Sequence, residues 1–115
     1  MSRLISLTLA IILIIGASAT AFARFDCGRT AKRLTGSSCG SNLALAWATN
    51  CPHTYAHAGA VVVSRRHGRA LGGGPGGHVA LIVTMGSDQC HATVHDEKGI
   101  YVRDICKNQV AIVTP

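Results

Sequence analysis

Aromatic and acidic residues are both scarce in this chain of 115 amino acids, and no two of its cysteines are spaced C-x-x-C. One tryptophan, two tyrosines and two phenylalanines provide few rings on which nucleic-acid bases could stack, and no nucleic-acid-binding motif is present. The missing C-x-x-C pair removes the usual spacing of zinc ligands and of thioredoxin-like redox centres. We therefore predict no nucleic-acid partner, and no metal or other cofactor.

A long apolar run occurs only at the start of the chain. Leu4 to Ile15 is apolar, and Ala21-Phe22-Ala23 has the small-x-small form after which signal peptidase cleaves. The sequence therefore predicts a signal peptide over residues 1–23 and a single domain without internal repeats over residues 24–115. An uncleaved membrane anchor is the alternative, because the apolar run approaches the roughly 20 residues of a spanning helix. With cleavage, we expect a secreted or periplasmic protein that makes no membrane contact.

Positive charge exceeds negative charge in the expected mature chain. Eleven Lys and Arg residues stand against five Asp and Glu. Loss of Arg3 with the leader leaves ten against five, a net charge of about +5 with neutral histidines. Such a charge attracts polyanions, for example a cell wall or lipid head groups, in a salt-dependent way. The alternative is that the charge only keeps the protein soluble.

Five cysteines follow the leader: Cys27, Cys39, Cys51, Cys90 and Cys106. In an exported protein an even set is typical of disulfide bonds, and an odd set leaves one thiol over. The second and third cysteines flank a predicted helix, and the last two bracket a predicted pair of strands. Bridges between them would close loops of about 13 to 17 residues, worth roughly 3 kcal/mol each, and would leave Cys27 free. Pairings that include Cys27 stay open, because five cysteines allow fifteen arrangements of two bridges.

Helical periodicity comes before strand patterns along the chain. Asp26 can cap a helix that Gly36 ends, and Ser41 or Asn42 can cap a second helix over "NLALAWATN". Five strands are predicted after it, namely "AVVVSRR", "HVALIVTMG", "QCHATVHD", "GIYVRDI" and "QVAIVTP". The second strand is expected to be central because it is apolar on both faces, and the glycine-rich segment Arg65 to Gly77 is predicted as a mobile loop. Helices followed by strands indicate an α+β fold with a mostly antiparallel sheet.

Cys27 and His78 are the candidate reactive residues. A helix N-terminus and a nearby imidazole both stabilise a thiolate, which is the nucleophilic form of cysteine. Cys27 lies in the first turn of the predicted first helix, and His78 opens a strand on which that helix would pack. The glycines before His78 would let backbone approach closely and leave room at a site. The alternative interpretation of His78 is a surface histidine at the edge of a strand.

The order of these motifs resembles that of the CHAP and NlpC-type cysteine peptidases. A cysteine opens the first helix, "ALAW" follows on the second, and "GAVVV" precedes "GGHVALIV"; the similarity extends from Cys27 to about Asp96. The resemblance implies a papain-like domain in which two N-terminal helices pack on a sheet of about five short strands. It also implies a cysteine amidohydrolase or peptidase acting on peptide or amide bonds of peptidoglycan. Cys27 would be the nucleophile and His78 the general base and acid.

The third member of such a site lies on the strand after the histidine, where this chain offers His95 or Asp96. A short turn around Ser87 would make the two strands antiparallel and place residue 78 roughly opposite residue 96. Because alternate residues face opposite sides of a strand, only one of the two candidates can contact His78. We favour Asp96, since a carboxylate would also offset the local positive charge, and His95 is the alternative. A third possibility is that neither residue contacts His78.

Arg65, Arg66 and Trp47 are the candidate substrate-binding residues. The two arginines belong, with Arg69, to the densest basic cluster, which would suit an anionic substrate or form only a solvated rim. Three histidines in predicted loops show no spacing that defines a metal site; they are His53, His57 and His67.

Two functions remain in view. The first is a secreted cysteine hydrolase that cleaves peptidoglycan peptide or amide bonds. The second is a non-catalytic secreted module of the same fold, which would hold a wall polymer or a protein partner through its basic rim. In both cases we expect a monomer.

Overall fold

The computed structural model describes residues 26–69 and 75–115. The predicted signal peptide lies outside the described residues, as does the centre of the glycine-rich segment, residues 70–74. In the described ranges no helix has the length and apolar character that crossing a membrane requires. Two helices come first, α1 (Asp26–Thr35) and α2 (Ala46–Asn50). Five strands follow: β1 (Val61–Arg69), β2 (Pro75–Met85), β3 (His91–Asp96), β4 (Gly99–Asp104) and β5 (Gln109–Val113).

The five strands form one sheet in the order β4-β3-β2-β1-β5. Every neighbouring pair is antiparallel. This confirms the predicted α+β class and the antiparallel sheet, and β2 is the central strand, as its two apolar faces indicated.

Strand alternation divides the buried residues into two clusters, one on each face of the sheet. The first cluster includes Val63 and Val79 and packs against Ala31 of α1 and Trp47 of α2. The second cluster is built from strand residues and their neighbours in sequence: Ala60, Val62, Ala80, Ile82, Ala92, Val94, Ile105 and Ile112. Because β1 and β2 contribute to both clusters, the start of β2 is held firmly between two layers of side chains.

Helix α1 ends where the sequence predicts, and it begins at Asp26, the residue that was predicted to cap it. Gly36 follows its last residue with a φ of 66°, a conformation that glycine adopts at little cost. The Gly36 N–H donates to Lys32 O at 2.8 Å, which satisfies one of the last helical carbonyls. The buried side chains of Cys27 and Ala31 face the sheet, and the helix lies mainly on β2 and also touches β3.

Helix α2 is shorter than predicted. Only Ala46–Asn50 is helical, and no side chain caps its start, so the expected caps at Ser41 and Asn42 are wrong. The carbonyl of Ser41 instead accepts a hydrogen bond from Trp47 Nε1 at 2.6 Å. The carbonyls of Ser41 and Asn42 also press against Gly28 of α1. Packing against α1 therefore holds these residues outside the helix.

The glycine-rich segment is more regular than predicted at both of its ends. Strand β1 continues to Arg69 and β2 begins at Pro75, with Arg65 paired to Gly77 and a register shift beyond that pair. Backbone pairing requires no side chain, so glycine does not prevent it. Gly77 is required for packing, because a Cβ on it would lie 2.6 Å from Leu45 Cγ.

Two disulfide bonds join the pairs expected from the sequence. Cys39 bonds to Cys51 across the segment that contains α2, and Cys90 bonds to Cys106 across β3 and β4. Cys27 is the free cysteine and is buried.

We expect Gly28→Ala to lower the free energy of unfolding by about 1–3 kcal/mol through overpacking. The new Cβ would lie 2.5 Å from the backbone oxygen of Ser41, and backbone cannot rotate away as a side chain can. Helix propensity alone predicts the opposite sign, a gain of about 1 kcal/mol, so urea unfolding of the two proteins distinguishes the two effects. Lys32→Ala, at an exposed position of the same helix, is the control. An unchanged or raised midpoint for Gly28→Ala would contradict the close approach of α1 to Ser41.

Candidate active site

The N-terminal turn of α1 and the first residues of β2 carry the two candidate reactive side chains. Cys27 and His78 are each only 4% exposed. Cys27 belongs to the same buried cluster as Val79, the residue that follows His78. The thiol of α1 and the imidazole of β2 therefore lie near the same end of the central strand.

Both ring nitrogens of His78 are hydrogen-bonded. Nε2 lies 2.8 Å from Asp96 Oδ2, and Nδ1 lies 2.7 Å from Arg66 Nη2. A guanidinium can only donate, so Nδ1 is the accepting nitrogen and the proton of a neutral ring is on Nε2, pointing at Asp96. Burial, together with the charges of Arg66 and Arg103, lowers the pKa of His78, although Asp96 and Glu97 act in the opposite direction. The imidazole is therefore neutral at pH 7, in the tautomer that leaves Nδ1 as the base.

Three donors converge on the Asp96 carboxylate. Oδ2 accepts from His78 and from Tyr101 Oη at 2.5 Å, and Oδ1 accepts from the Lys98 N–H at 2.8 Å. Burial by itself raises the pKa of Asp96, but the hydrogen bonds from Tyr101, the Lys98 N–H and His78 lower it overall. Burial and the bond to Asp96 raise the pKa of Tyr101 to about 12. Asp96 is therefore a carboxylate, and Tyr101 keeps its proton, across the neutral range.

The register of β2 and β3 explains why Asp96, and not His95, contacts the imidazole. His95 pairs with Leu81 and Val94 pairs with Ile82, so the strands are offset by two positions from the predicted pairing of residues 78 and 96. Asp96 then lies diagonally from His78 on the same face, within reach of a side-chain hydrogen bond. His95 faces the other side. The preferred contact is confirmed, and the alternative through His95 is not present.

Arg66 and Glu97 complete the surroundings of the ring. Arg66 Nη2 lies 3.2 Å from Glu97 Oε1, which is itself 3.9 Å from His78 Nδ1. The sequence predicted Arg66 as a substrate-binding residue, and in the structure the Arg66 side chain covers the basic nitrogen of His78. Neither Glu97 nor Tyr101 was predicted at the site. Their positions in the sequence could have indicated both residues. Glu97 directly follows Asp96, and Tyr101 lies on the next strand, where it pairs with Val94 of β3.

Burial raises the pKa of the Cys27 thiol above its ordinary value. The backbone N–H groups of Val79 and Gly28 and the charge of Arg66 oppose this rise, while Glu97 adds to it. Within residues 26–69 and 75–115, no hydrogen bond joins Cys27 Sγ to the ring of His78. A thiolate stabilised by the helix N-terminus was the expectation, but desolvation outweighs the N-terminal N–H groups and the sulfur is a neutral thiol.

The side chains of Cys27 and His78 lie on opposite faces of β2. Val79 belongs to the cluster beneath the helices together with Cys27, whereas Ala80 belongs to the cluster on the other face. Alternation therefore directs the His78 side chain away from the face that α1 covers. The thiol and the ring still share neighbours, because the charges of Arg66 and Glu97 act on the pKa of both. Contact between them therefore requires a change in the position of the thiol, the ring or both.

The other two predicted substrate-binding residues lie elsewhere. Trp47 is fully buried, and its indole N–H donates to Ser41 O, so the ring is a core side chain that presents no surface to a substrate. Arg65 is exposed on β1 next to Arg66, and its backbone N–H donates to Asn108 O at 2.9 Å.

The positive charge of Arg66 beside the His78 ring disfavours a metal site there. His78, Asp96 and Glu97 bring three potential ligand atoms within 4.8 Å of one another, but the Arg66 guanidinium on Nδ1 opposes a cation there. Two of the loop histidines bond to nearby carbonyls, His53 to Ala48 O and His57 to Tyr55 O. His67 lies in β1 and not in a loop.

No protein-family model, no curated protein and no solved structure matches this chain. Its function is therefore inferred from the geometry of the site and from the sequence motifs.

Proposed function

We propose that this protein is a secreted cysteine hydrolase of the CHAP and NlpC-type, papain-like group, and that it cleaves amide bonds in the peptides of peptidoglycan. Cys27 would be the nucleophile, His78 the general base and acid, and Asp96 the residue that orients the imidazole. The observation that carries the proposal is the buried hydrogen bond from His78 Nε2–H to Asp96 Oδ2 at 2.8 Å. This bond selects the tautomer in which Nδ1 can take a thiol proton.

The chemistry proceeds in two halves. His78 Nδ1 takes the proton of the Cys27 thiol, and the sulfur attacks the carbonyl carbon of the amide. The protonated His78 then gives this proton to the leaving amine, which departs and leaves a thioester on Cys27. A water molecule, deprotonated by His78, attacks the thioester and releases the carboxylic acid, and the sulfur recovers its proton. The first backbone N–H groups of α1 have no helical partner and can stabilise the oxyanion.

Arg66 must leave His78 before the first proton transfer, because it occupies the accepting nitrogen, and Cys27 Sγ must come within hydrogen-bond reach of Nδ1. The Arg66 side chain is 40% exposed, so it can swing into solvent without opening the core. A carboxylate on the substrate would compete for its guanidinium and free Nδ1 at the moment of binding.

The two disulfide bonds support a secreted or periplasmic location, since such bonds persist in oxidising compartments. The motifs "GAVVV" and "GGHVALIV" support the assignment to the peptidase group, because β1 and β2 hold them as adjacent strands of one sheet.

A non-catalytic binding module is the second candidate function. The raised pKa of Cys27 favours it, as does the position of the thiol and the imidazole on opposite faces of β2. Digestion of isolated peptidoglycan, followed by mass spectrometry of the soluble fragments, separates the two functions. A hydrolase releases peptides with new amine and carboxyl ends, and Cys27→Ala abolishes this release. A binding module co-sediments with the wall, releases nothing, and behaves identically with and without the Cys27→Ala substitution.

We expect Arg66→Ala to raise the rate of hydrolysis of an uncharged peptide amide by about tenfold. The wild-type enzyme must first break the hydrogen bond from the charged Arg66 to His78, which costs about 1.5 kcal/mol, and the variant does not. Initial rates at pH 7 measure the effect. Arg65→Ala is the matched control, because Arg65 is the neighbouring exposed arginine. A slower Arg66→Ala enzyme would show that Arg66 assists the reaction and does not cover the base.

A further inference from the structure

A cleft of about 420 Å³ lies between α1 and the end of β3. Such a volume is at the small end of ligand pockets and suits one or two amino-acid residues. Its walls are Arg29, Thr30 and Arg33 from α1, His95 and Asp96 from the end of β3, Glu97 from the following turn, and Gly99 from the start of β4. The cleft therefore adjoins the orienting carboxylate of the proposed site, although it contains neither Cys27 nor His78.

The two acidic residues of the cleft have partners outside it, although Glu97 Oε2 is buried without a hydrogen bond among the described residues. Asp96 accepts from His78 and Tyr101, and Glu97 pairs with Arg66. In contrast, no ion pair of Arg29 or Arg33 occurs among the side chains that the structure describes, which do not include that of Asp26. Both arginines are exposed. The charges that the cleft exposes to solvent are therefore those of the two arginines, because Asp96 is 3% exposed and the Glu97 side chain is 12% exposed.

The spacing of the arginines suits a planar anion. Positions i and i+4 of a helix are neighbours on one face, with Cβ atoms about 5–6 Å apart, so both guanidinium groups can reach one group between them. A guanidinium binds a carboxylate through two parallel N–H···O bonds. Thr30, between them in sequence, adds a hydroxyl to the wall.

We infer that the cleft is a subsite for a carboxylate carried by one amino-acid residue of the substrate peptide, and that Arg29 and Arg33 pair with this carboxylate. The inference rests on the proposed function for the identity of the ligand as a substrate. It narrows that substrate to an anionic peptide and gives α1 a second role beside holding the nucleophile.

Binding is tested without turnover, in the Cys27→Ala protein. The probes are N-acetyl-Ala-Glu amide, which has one carboxylate, and N-acetyl-Ala-Gln amide, which has none. In an NMR titration we expect the Glu peptide to shift the Gly99 amide and the side-chain Nε–H signals of Arg29 and Arg33. The Gln peptide should bind at least tenfold more weakly. Equal affinities for the two peptides would overturn the inference.

Arginine variants test whether Arg29 and Arg33 bind the carboxylate of the Glu peptide. Arg29→Gln with Arg33→Gln should weaken binding of the Glu peptide at least tenfold, while Lys32→Gln, on an exposed position outside the cleft, should not. Thermal unfolding of each variant shows that the comparison is made on folded protein. An unchanged Kd in the double variant would overturn the inference.

Different results would disprove the carboxylate subsite and the proposed hydrolase function. If peptidoglycan is not cleaved but the Glu peptide binds through the two arginines, the subsite stands and the proposed function falls. If cleavage occurs but the double variant leaves KM unchanged on the carboxylate-bearing substrate, the proposed function stands and the subsite falls.

Discussion

Asp96→Asn is expected to lower kcat/KM for peptide hydrolysis by about 10³- to 10⁴-fold, the size of loss seen when the carboxylate of a catalytic triad is replaced by an amide. All three of its polar neighbours are donors, namely His78 Nε2–H, Tyr101 Oη–H and the Lys98 N–H. An asparagine has one accepting oxygen, and its NH₂ group would face a donor. The ring can relieve this by moving its proton to Nδ1, with loss of the hydrogen bond from Arg66, and Nδ1 then can no longer accept a proton from Cys27.

The tautomer is measured directly from the ¹⁵N chemical shifts of His78. We expect the wild-type protein to carry its proton on Nε2 and the Asp96→Asn variant to carry it on Nδ1. Asp88→Asn is the control, because it removes an exposed carboxylate outside the site. An Asp96→Asn protein that remains folded and retains more than a tenth of the wild-type activity would remove Asp96 from the mechanism.

Removal of the Cys39–Cys51 bond is expected to lower the free energy of unfolding by about 3 kcal/mol. The bond joins residues 12 apart in sequence, so its loss returns the conformational freedom of the closed loop to the unfolded chain. Cys51 is 4% exposed and belongs to the cluster that contains Trp47. The double variant Cys39→Ala, Cys51→Ala therefore also loses buried contacts of sulfur.

Urea unfolding of this variant is compared with that of Cys90→Ala, Cys106→Ala. The second bond closes a slightly longer loop, with a separation of 16, but Cys106 is exposed and little packing is lost with it. We expect the first variant to be the less stable of the two. If the second variant is the less stable, loop length outweighs the burial of Cys51.

Much of the fold could be predicted because its elements are local patterns. Strands β1 to β5 follow from β-branched content and alternation, and α1 follows from its start at Asp26 and its stop at Gly36. The errors lie where tertiary packing overrides these patterns. Helix α2 starts later than predicted because the Ser41 carbonyl accepts a hydrogen bond from the Trp47 indole. The carbonyls of Ser41 and Asn42 also pack against Gly28 of α1.

The candidate site was predictable in part for the same reason. The short turn between β2 and β3 brings His78 close to residue 96 in each of the plausible registers. Because side chains alternate between the two faces of a strand, only one of His95 and Asp96 can then contact His78. The observed register is offset by two positions from the predicted one, and both place Asp96 on the face of His78. A carboxylate two places away on the same face remains within reach, so an error of this size did not remove the contact.

The sequence by itself determined the class of the fold, the central position of β2, the preferred pairing of the cysteines, and His95 or Asp96 as the candidate partners of His78. These follow from hydrophobic period, short turns and loop closure, which are properties of neighbouring residues. Only the tertiary structure decided that Arg66 covers His78, that Tyr101 donates to Asp96, that burial protonates Cys27, and that two arginines of α1 line a cleft. Each of these depends on distances between elements far apart in the chain and on the water excluded between them, which no local pattern records.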